Sequence, residues 1–252
     1  MRLFLTTLLV LAAAALAVPL ALQLEQTDDS QLALIESHHD APSSGGNDTS
    51  KPDVPLDTSA GWVDPRILGG RFLDFVNKTH GEPLNVIISG LSDPFILSED
   101  GLHIYAKSLG YSEECLGLHY GNRHLADLGD GDGRKVEQYL ARQYYFPVWG
   151  TCWESLAGGQ HFRAWKQDGE LANTGAWFLG CDSTKHHTIV PNGYDLGRDW
   201  LIGRATAGTS YRGLGWKADV ELRVGLSTPG NTSVNHGIPT DGIVAILTIN
   251  RL

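Results

Sequence analysis

Apolar and polar positions alternate along most of this chain with periods that predict its elements. Pro83 to Gly90 reads as a strand, stopped by Gly90 and a turn at Asp93-Pro94. Ser98 is placed to cap a helix that puts Leu102, Tyr105, Ala106 and Leu109 on one side and stops at Gly110. A glycine-punctuated loop follows, and a second helix is expected over 134–144, capped by Asp132. Residues 160–167 alternate as a strand with His161, Arg163 and Trp165 on one face and Phe162 and Ala164 on the other. A turn then leads into 176–182, apolar on both faces and so expected in the middle of a sheet. Residues 186–190 read as short and extended, and Pro191-Asn192-Gly193 introduces a helix over 194–205. In 216–224 the residues Trp216, Ala218, Val220, Leu222 and Val224 are expected to face inward. Lys217, Asp219, Glu221 and Arg223 then face water, a charge mixture that discourages edge pairing. Gly242 to Asn250, apolar on both faces, closes the sheet from inside. The order β-α-α-β-β-α-β-β predicts an α+β domain: one largely antiparallel sheet packed by two to three helices.

The N-terminal quarter has a different character. Arg2 precedes an apolar run from Leu3 to Ala17 that ends in Ala15-Leu16-Ala17, the order of a secretory signal peptide, so cleavage is expected after residue 17. The alternative is an N-terminal membrane anchor, since apolar residues continue through Pro19 to Leu22. Spanning takes about 20 apolar residues, and Pro19 and the short core favour cleavage. Residues 18–65 read as an acidic disordered arm or pro-segment, poor in large apolar residues and carrying the solvated pair His38-His39. The folded domain takes up 66–252. Of the net charge of −10, residues 1–65 supply −7 (two basic, nine acidic) and 66–252 supply −3 (17 and 20). The domain itself is therefore near neutral and has no basic stripe of the kind nucleic-acid binding needs.

Export agrees with three glycosylation acceptors, at Asn47, Asn77 and Asn231, and with the three cysteines. Cys115 and Cys152 lie in Gly-rich, loop-like segments and are paired here as a disulfide, while Cys181 ends an apolar strand and reads as buried. The loop Leu128-Gly129-Asp130-Gly131-Asp132-Gly133 invites a calcium reading, but in an EF-hand register Leu128 and Tyr139 fall on positions one and twelve, where ligands are required. It reads instead as a tight turn.

The densest chemistry lies between His161 and Asp199. If strand and helix pack together, His161, Arg163, His187, Asp195, Arg198 and Asp199 meet, and three readings compete. In the first they are a buried ion network, since buried charges must be paired. In the second, His161, Arg163, His187 and Arg198 form an anion pocket, helped by the helix N-terminus at Pro191-Asn192-Gly193. In the third, the site hydrolyses phosphate or ester bonds with His161, His187, Asp195 and Asp199 as candidate acids and bases. One version of that reading has a divalent metal on His161, His187 and Asp195 or Asp199. No HExxH or GxSxG motif occurs, and no organic cofactor is called for.

Gln160-His161-Phe162-Arg163-Ala164-Trp165, then His187, then Tyr194-Asp195-Leu196-Gly197-Arg198-Asp199 resemble the LssY C-terminal domain family. That family shows His-x-Arg-x-Trp, a later histidine, and a helix carrying Asp-x-x-Arg-Asp. The chain is most similar to its secreted, single-domain members from mushroom-forming fungi. The resemblance covers roughly residues 80–205. Gln160 replaces an arginine typical of bacterial members, and Gly197 replaces an acidic residue. Cys181 falls where the family pattern has a small or aliphatic residue, which fits an unpaired thiol. The family brings no settled activity. Some bacterial members join the domain to membrane proteins of the lipid-phosphate-phosphatase type, which implies phosphorylated or lipidic ligands by association. Sequence reading thus leads to a secreted glycoprotein binding an anionic small molecule or lipid phosphate. A secreted hydrolase, or an extracellular interaction or structural protein, is the alternative.

Overall fold

The computed structural model describes residues 56–117, 121–146, 151–152, 157–185 and 188–252. The signal peptide, the arm up to residue 55, Asn47 and the pair His186-His187 lie outside the described residues. In chain order the described elements are β1 (Val86–Ile88), α1 (Glu99–Leu109), β2 (Tyr111–Ser112), β3 (Leu125–Asp127), β4 (Arg134–Val136) and β5 (Tyr139–Gln143). There follow β6 (Gly159–Asp168), β7 (Asn173–Lys185), β8 (Thr188–Ile189), α2 (Gly193–Ala207), β9 (Thr209–Tyr211), β10 (Leu214–Arg223) and β11 (Val244–Arg251). One sheet runs in the order β2-β5-β6-β7-β1-β11-β10-β9, with β8 also paired to β7, and β3 and β4 form a separate ribbon. Among the described strands only β1 and β11 run parallel; every other strand pairing is antiparallel. The class is α+β, and β7, apolar on both faces, is central.

The sheet is covered on both sides because its strands alternate. Val86, Ile88, Phe162, Ala164, Leu179 and Cys181 turn toward α1 and α2, where Leu102, Tyr105, Leu109, Leu201 and Ala205 meet them. Ile87, Trp165, Phe178 and Ile246 turn the other way, onto Trp62, Phe72, Ala126 and Leu128. α1 begins and ends where its sequence says. The Ser98 hydroxyl accepts the Gly101 N–H at 3.1 Å, acidic Glu99 and Asp100 occupy the first turn, and Gly110 closes the helix in the left-handed conformation. α2 is fixed by contact instead. A Cβ on Gly197 would lie 2.5 Å from the backbone of Asp182 in β7, so only glycine lets the helix approach the strand this closely.

Two expectations fail. The helix expected over 134–144 is replaced by the strands β4 and β5. Val136, Tyr139 and Leu140 have helical spacing, but the open edge of β6 captures 139–143, and Tyr139 and Ala141 then join the helix-side core. Tertiary pairing overrides local pattern. Over 216–224, Trp216 and Ala218 are buried as expected, but Val220, Leu222 and, just past the end of β10, Val224 are 42%, 57% and 79% exposed. Their strand continues past Leu201 and Ala205 of α2, which cover only its first half. The Cys115–Cys152 disulfide forms, and Cys181 is a buried thiol. Spanning 37 residues of sequence, the cross-link contributes about 3–4 kcal/mol on the chain-entropy model.

The helix–strand approach makes opposite predictions for two glycines of α2. Gly197→Ala is expected to cost about 3 kcal/mol, because neither backbone can yield. Gly203→Ala, whose Cβ would meet nothing, is expected to stabilise by up to about 1 kcal/mol. Urea unfolding of both variants checks the pair.

Candidate functional site

The side chains of β6 that turn away from the helices carry charge, and the charge must be answered there. His161 and Asp182 are direct cross-strand neighbours in the β6–β7 register, and His161 Nδ1 lies 2.8 Å from Asp182 Oδ1. Arg163, two residues on, binds Glu137 through Nη1 and faces Glu82 at 3.8 Å from Nε. Glu137 comes from the end of the β3–β4 ribbon, where its N–H bonds the His124 carbonyl at 2.9 Å.

Glu82 belongs to a tight return of the chain over 73–83. Leu73 bridges Pro83, Asp74 N–H bonds the Glu82 carbonyl at 2.9 Å, and Glu82 N–H bonds Asp74 Oδ1 at 2.6 Å. The other oxygen of Asp74 meets His124 Nδ1 at 2.7 Å, and that nitrogen is 3.7 Å from Glu82 Oε2. Asp74, Glu82 and His124 can each direct one ligand atom so that all three lie within 4.8 Å of one another. Asn235 donates to Glu82 Oε1 at 3.3 Å, and its carbonyl accepts the Tyr194 hydroxyl at 3.2 Å. Its chain neighbour His236 lines a cavity of about 450 Å³, walled also by Thr188, Ile189, Pro191, Asn192 and Ile238.

All seven ionisable residues of this cluster are buried: Asp74, Glu82, His124, Glu137, His161, Arg163 and Asp182. Burial, with the charges of Asp182 and Asp74 added, pushes the pKa of Glu82 up. Burial works against a proton on His124, but the Asp74 hydrogen bond and the charges of Asp74 and Glu82 outweigh it, and its pKa is raised. Neighbouring carboxylates push both groups the same way, adding to burial at Glu82 and opposing it at His124.

The residues expected to meet between His161 and Asp199 divide into two groups. His161 and Arg163 join the buried cluster. Asp195, Arg198 and Asp199 ride on α2, whose Leu201 and Ala205 pack on the opposite face of the sheet, so strand and helix chemistry do not converge as expected. Arg198 grips Asp241 with two hydrogen bonds of 2.6 and 2.9 Å, bonds Asp199 at 2.8 Å through Nε, and donates to the Ile243 carbonyl at 3.0 Å. Asp195 accepts from Thr240 at 3.1 Å and from the Asp241 N–H at 3.2 Å. His187 lies outside the described residues, and Asp199, 61% exposed on its side chain, joins Arg198 and not His161. Cys181 has its thiol pKa pushed well up by burial and by Asp182, which makes it a poor nucleophile.

Sequence reading missed Asp74, Glu82, His124, Glu137, Asp182 and Asp241. The one available signal was acidic or imidazole side chains set within short apolar alternations, as in Leu73-Asp74-Phe75 and His124-Leu125-Ala126. The loop at 128–133 also differs from expectation. Asp132 caps no helix, and Asp130, fully buried, accepts the Lys135 ammonium at 2.6 Å. The same ammonium reaches Asp168 at 2.8 Å and the Lys166 carbonyl at 2.6 Å. A lysine fills the position that a calcium reading would give to the ion.

Comparison of the chain with family models, with curated proteins and with solved structures returns no match, so the chemistry of the site rests on its own geometry.

Removing the Arg198 side chain leaves Asp241 and Asp195 without their counter-charge. Arg198→Ala is expected to cost about 2 kcal/mol, below the usual 3–5 for a buried pair because Asp241 is partly exposed. Asp199→Ala, at the exposed end of the same network, is expected to cost under about 1 kcal/mol. Thermal unfolding of the two variants separates them. For the buried cluster, Glu82 and His124 both bind protons more tightly folded than unfolded, relative to ordinary values of about 4.3 and 6.5. Each therefore contributes stability that is complete below its unfolded value and lost as pH rises through its folded value. Metal-free protein is expected to lose stability from pH 5 to pH 8, and Glu82→Gln to flatten that slope, in urea titrations with chelator present.

Proposed function

We propose that the domain binds a divalent first-row metal ion through Asp74, Glu82 and His124 and acts as a metal-assisted hydrolase of a phosphate or ester. The observation that carries this reading is the convergence of the three buried ligand groups within 4.8 Å. One imidazole with two carboxylates is a donor set suited to such an ion. At 2.7 Å the contact from His124 to Asp74 is proton-bridged. Ligand atoms around a tetrahedral zinc lie roughly 3.3 Å apart, so replacing that proton by a metal needs an outward shift of about half an ångström. The raised pKa of His124 supports the same reading, because carboxylates that hold a proton on a buried imidazole have charge to give to a cation.

A bound ion would supply Lewis acidity toward a phosphoryl or carbonyl group. The chain's own residues have narrower roles. His161, oriented through Nδ1 by Asp182, is set as a general acid or base. Arg163, held by Glu137, places a fixed positive charge against Glu82. The cavity beside His236 offers a small substrate room, and Asn235 links its wall to Glu82. Simple anion capture by the arginines is supported less well, since Arg163 and Arg198 already meet carboxylates.

The reading carries with it a place outside the cell and membership of the LssY C-terminal family. Asn77 and Asn231 are exposed, the first at the tip of the 73–83 return, where its side-chain oxygen organises the turn by accepting the Thr79 and His80 N–H groups. Exposure makes both sites accessible to glycosylation, and the disulfide suits an oxidising compartment. Among the described residues no helix is long and apolar enough to cross a membrane.

Elemental analysis of the purified protein, with calorimetric titration of zinc and manganese into chelated protein, tests the site. One ion per chain is expected. At a hundredfold excess over the dissociation constant the ion should stabilise the fold by about 2.7 kcal/mol, an effect lost in His124→Ala. If neither ion binds and Glu82→Gln simply raises the melting point, the cluster is a structural ion network and the hydrolase reading falls.

A further inference from the structure

Past Trp216 the outer edge of β10 has no strand beside it. β9 pairs only with Leu214, Gly215 and Trp216, and among the described residues no backbone group bonds the outer side of 218–224. The Gly215 carbonyl accepts the Leu252 N–H at 2.9 Å on the β11 side. By the alternation of a strand, the even-numbered residues 218, 220 and 222 therefore direct N–H and C=O outward. Two usual protections of an edge are missing here. There is no proline, and the register with β11 is unbroken over eight pairs, so no bulge twists the strand away. Val220, Leu222 and Val224 stand on this edge 42%, 57% and 79% exposed.

We propose that this edge pairs antiparallel with the same edge of a second copy of the chain, about a two-fold axis at Leu222. Charge selects that register. Centred on Leu222, Glu221 of each copy faces Arg223 of the other, Val220 faces Val224, and Leu222 meets itself across the axis. Centred on Val220, Asp219 would face Glu221 and Lys217 would face Arg223, like against like. Centred on Glu221, that carboxylate would face its own copy. A register centred on Ala218 would need the edge at Trp216, which Thr209 of β9 occupies, and of the three above only the one centred on Leu222 sets opposite charges face to face. In this register Leu222, whose backbone groups point outward, forms a hydrogen-bonded pair with its own copy.

Glu221 and Arg223 already lie 2.7 Å apart within one chain, both half-exposed, and can exchange partners without moving the backbone. The contact is isologous and joins the two sheets into one. It is short, so the dimer is expected to form reversibly with concentration and not as a permanent assembly.

Sedimentation velocity on the full secreted chain, from the low micromolar to the sub-millimolar range, reads the equilibrium. The wild type should move from monomer to dimer. Leu222→Lys, which sets two ammonium groups on the axis, should abolish the shift. Glu221→Arg and Arg223→Glu should each weaken association about tenfold, and the double exchange E221R/R223E should restore it to within about threefold. All three positions are exposed, so circular dichroism should show the variants folded. A monomer at every concentration, a dimer indifferent to Leu222→Lys, or a double exchange that fails to restore pairing would each overturn the proposal. So would a monomer whose Val220 and Leu222 amides resist hydrogen exchange, since the edge would then be covered from within the chain.

Discussion

A guanidinium buried on a sheet face needs a carboxylate brought to it, and much of the domain is arranged around that requirement. Arg163 is on β6 because the strand alternates, and alternation sends Phe162 and Ala164 under the helices while His161 and Arg163 go to the other side. Among the described residues no α-helix packs on that side to supply counter-charges. They come instead from the chain return at 73–83, from the β3–β4 ribbon and from β7, as Glu82, Glu137 and Asp182. Each partner is a long way off in sequence, so the charge requirement ties irregular segments to the sheet more specifically than apolar contact would. Trp62, Phe72, Ala126 and Leu128 then close the apolar part of the same face beside it.

Two acid-rich clusters in one small domain show what their different solutions imply. Around Asp130 the carboxylates of Asp132 and Asp168 are partly exposed, and the Lys135 ammonium sits among the three, so a cation of the chain itself already holds the centre. Around Glu82 the side chains are buried, and among the described residues four carboxylates stand against one guanidinium and two imidazoles. His124 and Glu82 are both driven toward their protonated forms. A structural ion network gains nothing from an excess of one sign, whereas a cation site requires it. That asymmetry makes the Asp74, Glu82 and His124 corner the functional candidate and leaves the Asp130 loop as architecture.

What the sequence made legible follows the range of the interactions involved. Elements set by near neighbours could be read from it: α1 from Ser98 to Gly110, the β6–β7 hairpin, the position of β7 in the sheet, and the pairing of Cys115 with Cys152. The segment 134–144 could not, because its spacing fits a helix and only the presence of β6 decides for a strand. His161 and Arg163 were visible as chemistry, but their partners were not. Asp74, Glu82 and Glu137 are single polar residues in short irregular segments, and nothing local says that they turn toward β6. Arg198 was assigned to the same site because Asp195 and Asp199 flank it. The structure instead commits it to Asp241, 43 residues away.

Coverage by the helices also has a limit that the alternating pattern of β10 does not reveal. A strand written as apolar in and charged out is buried only as far as something lies over it, and α2 stops contributing after Trp216 and Ala218. The closest approach of α2 to the sheet is at β7, where Gly197 lets it rest on Asp182, and a rigid helix seated there cannot also reach the far half of β10. The contact that anchors α2 against the strand carrying Asp182 therefore also leaves Val220, Leu222 and Val224 uncovered. A pattern that predicts burial within one chain is equally a pattern for burial between two, and the open backbone edge decides which of them applies here.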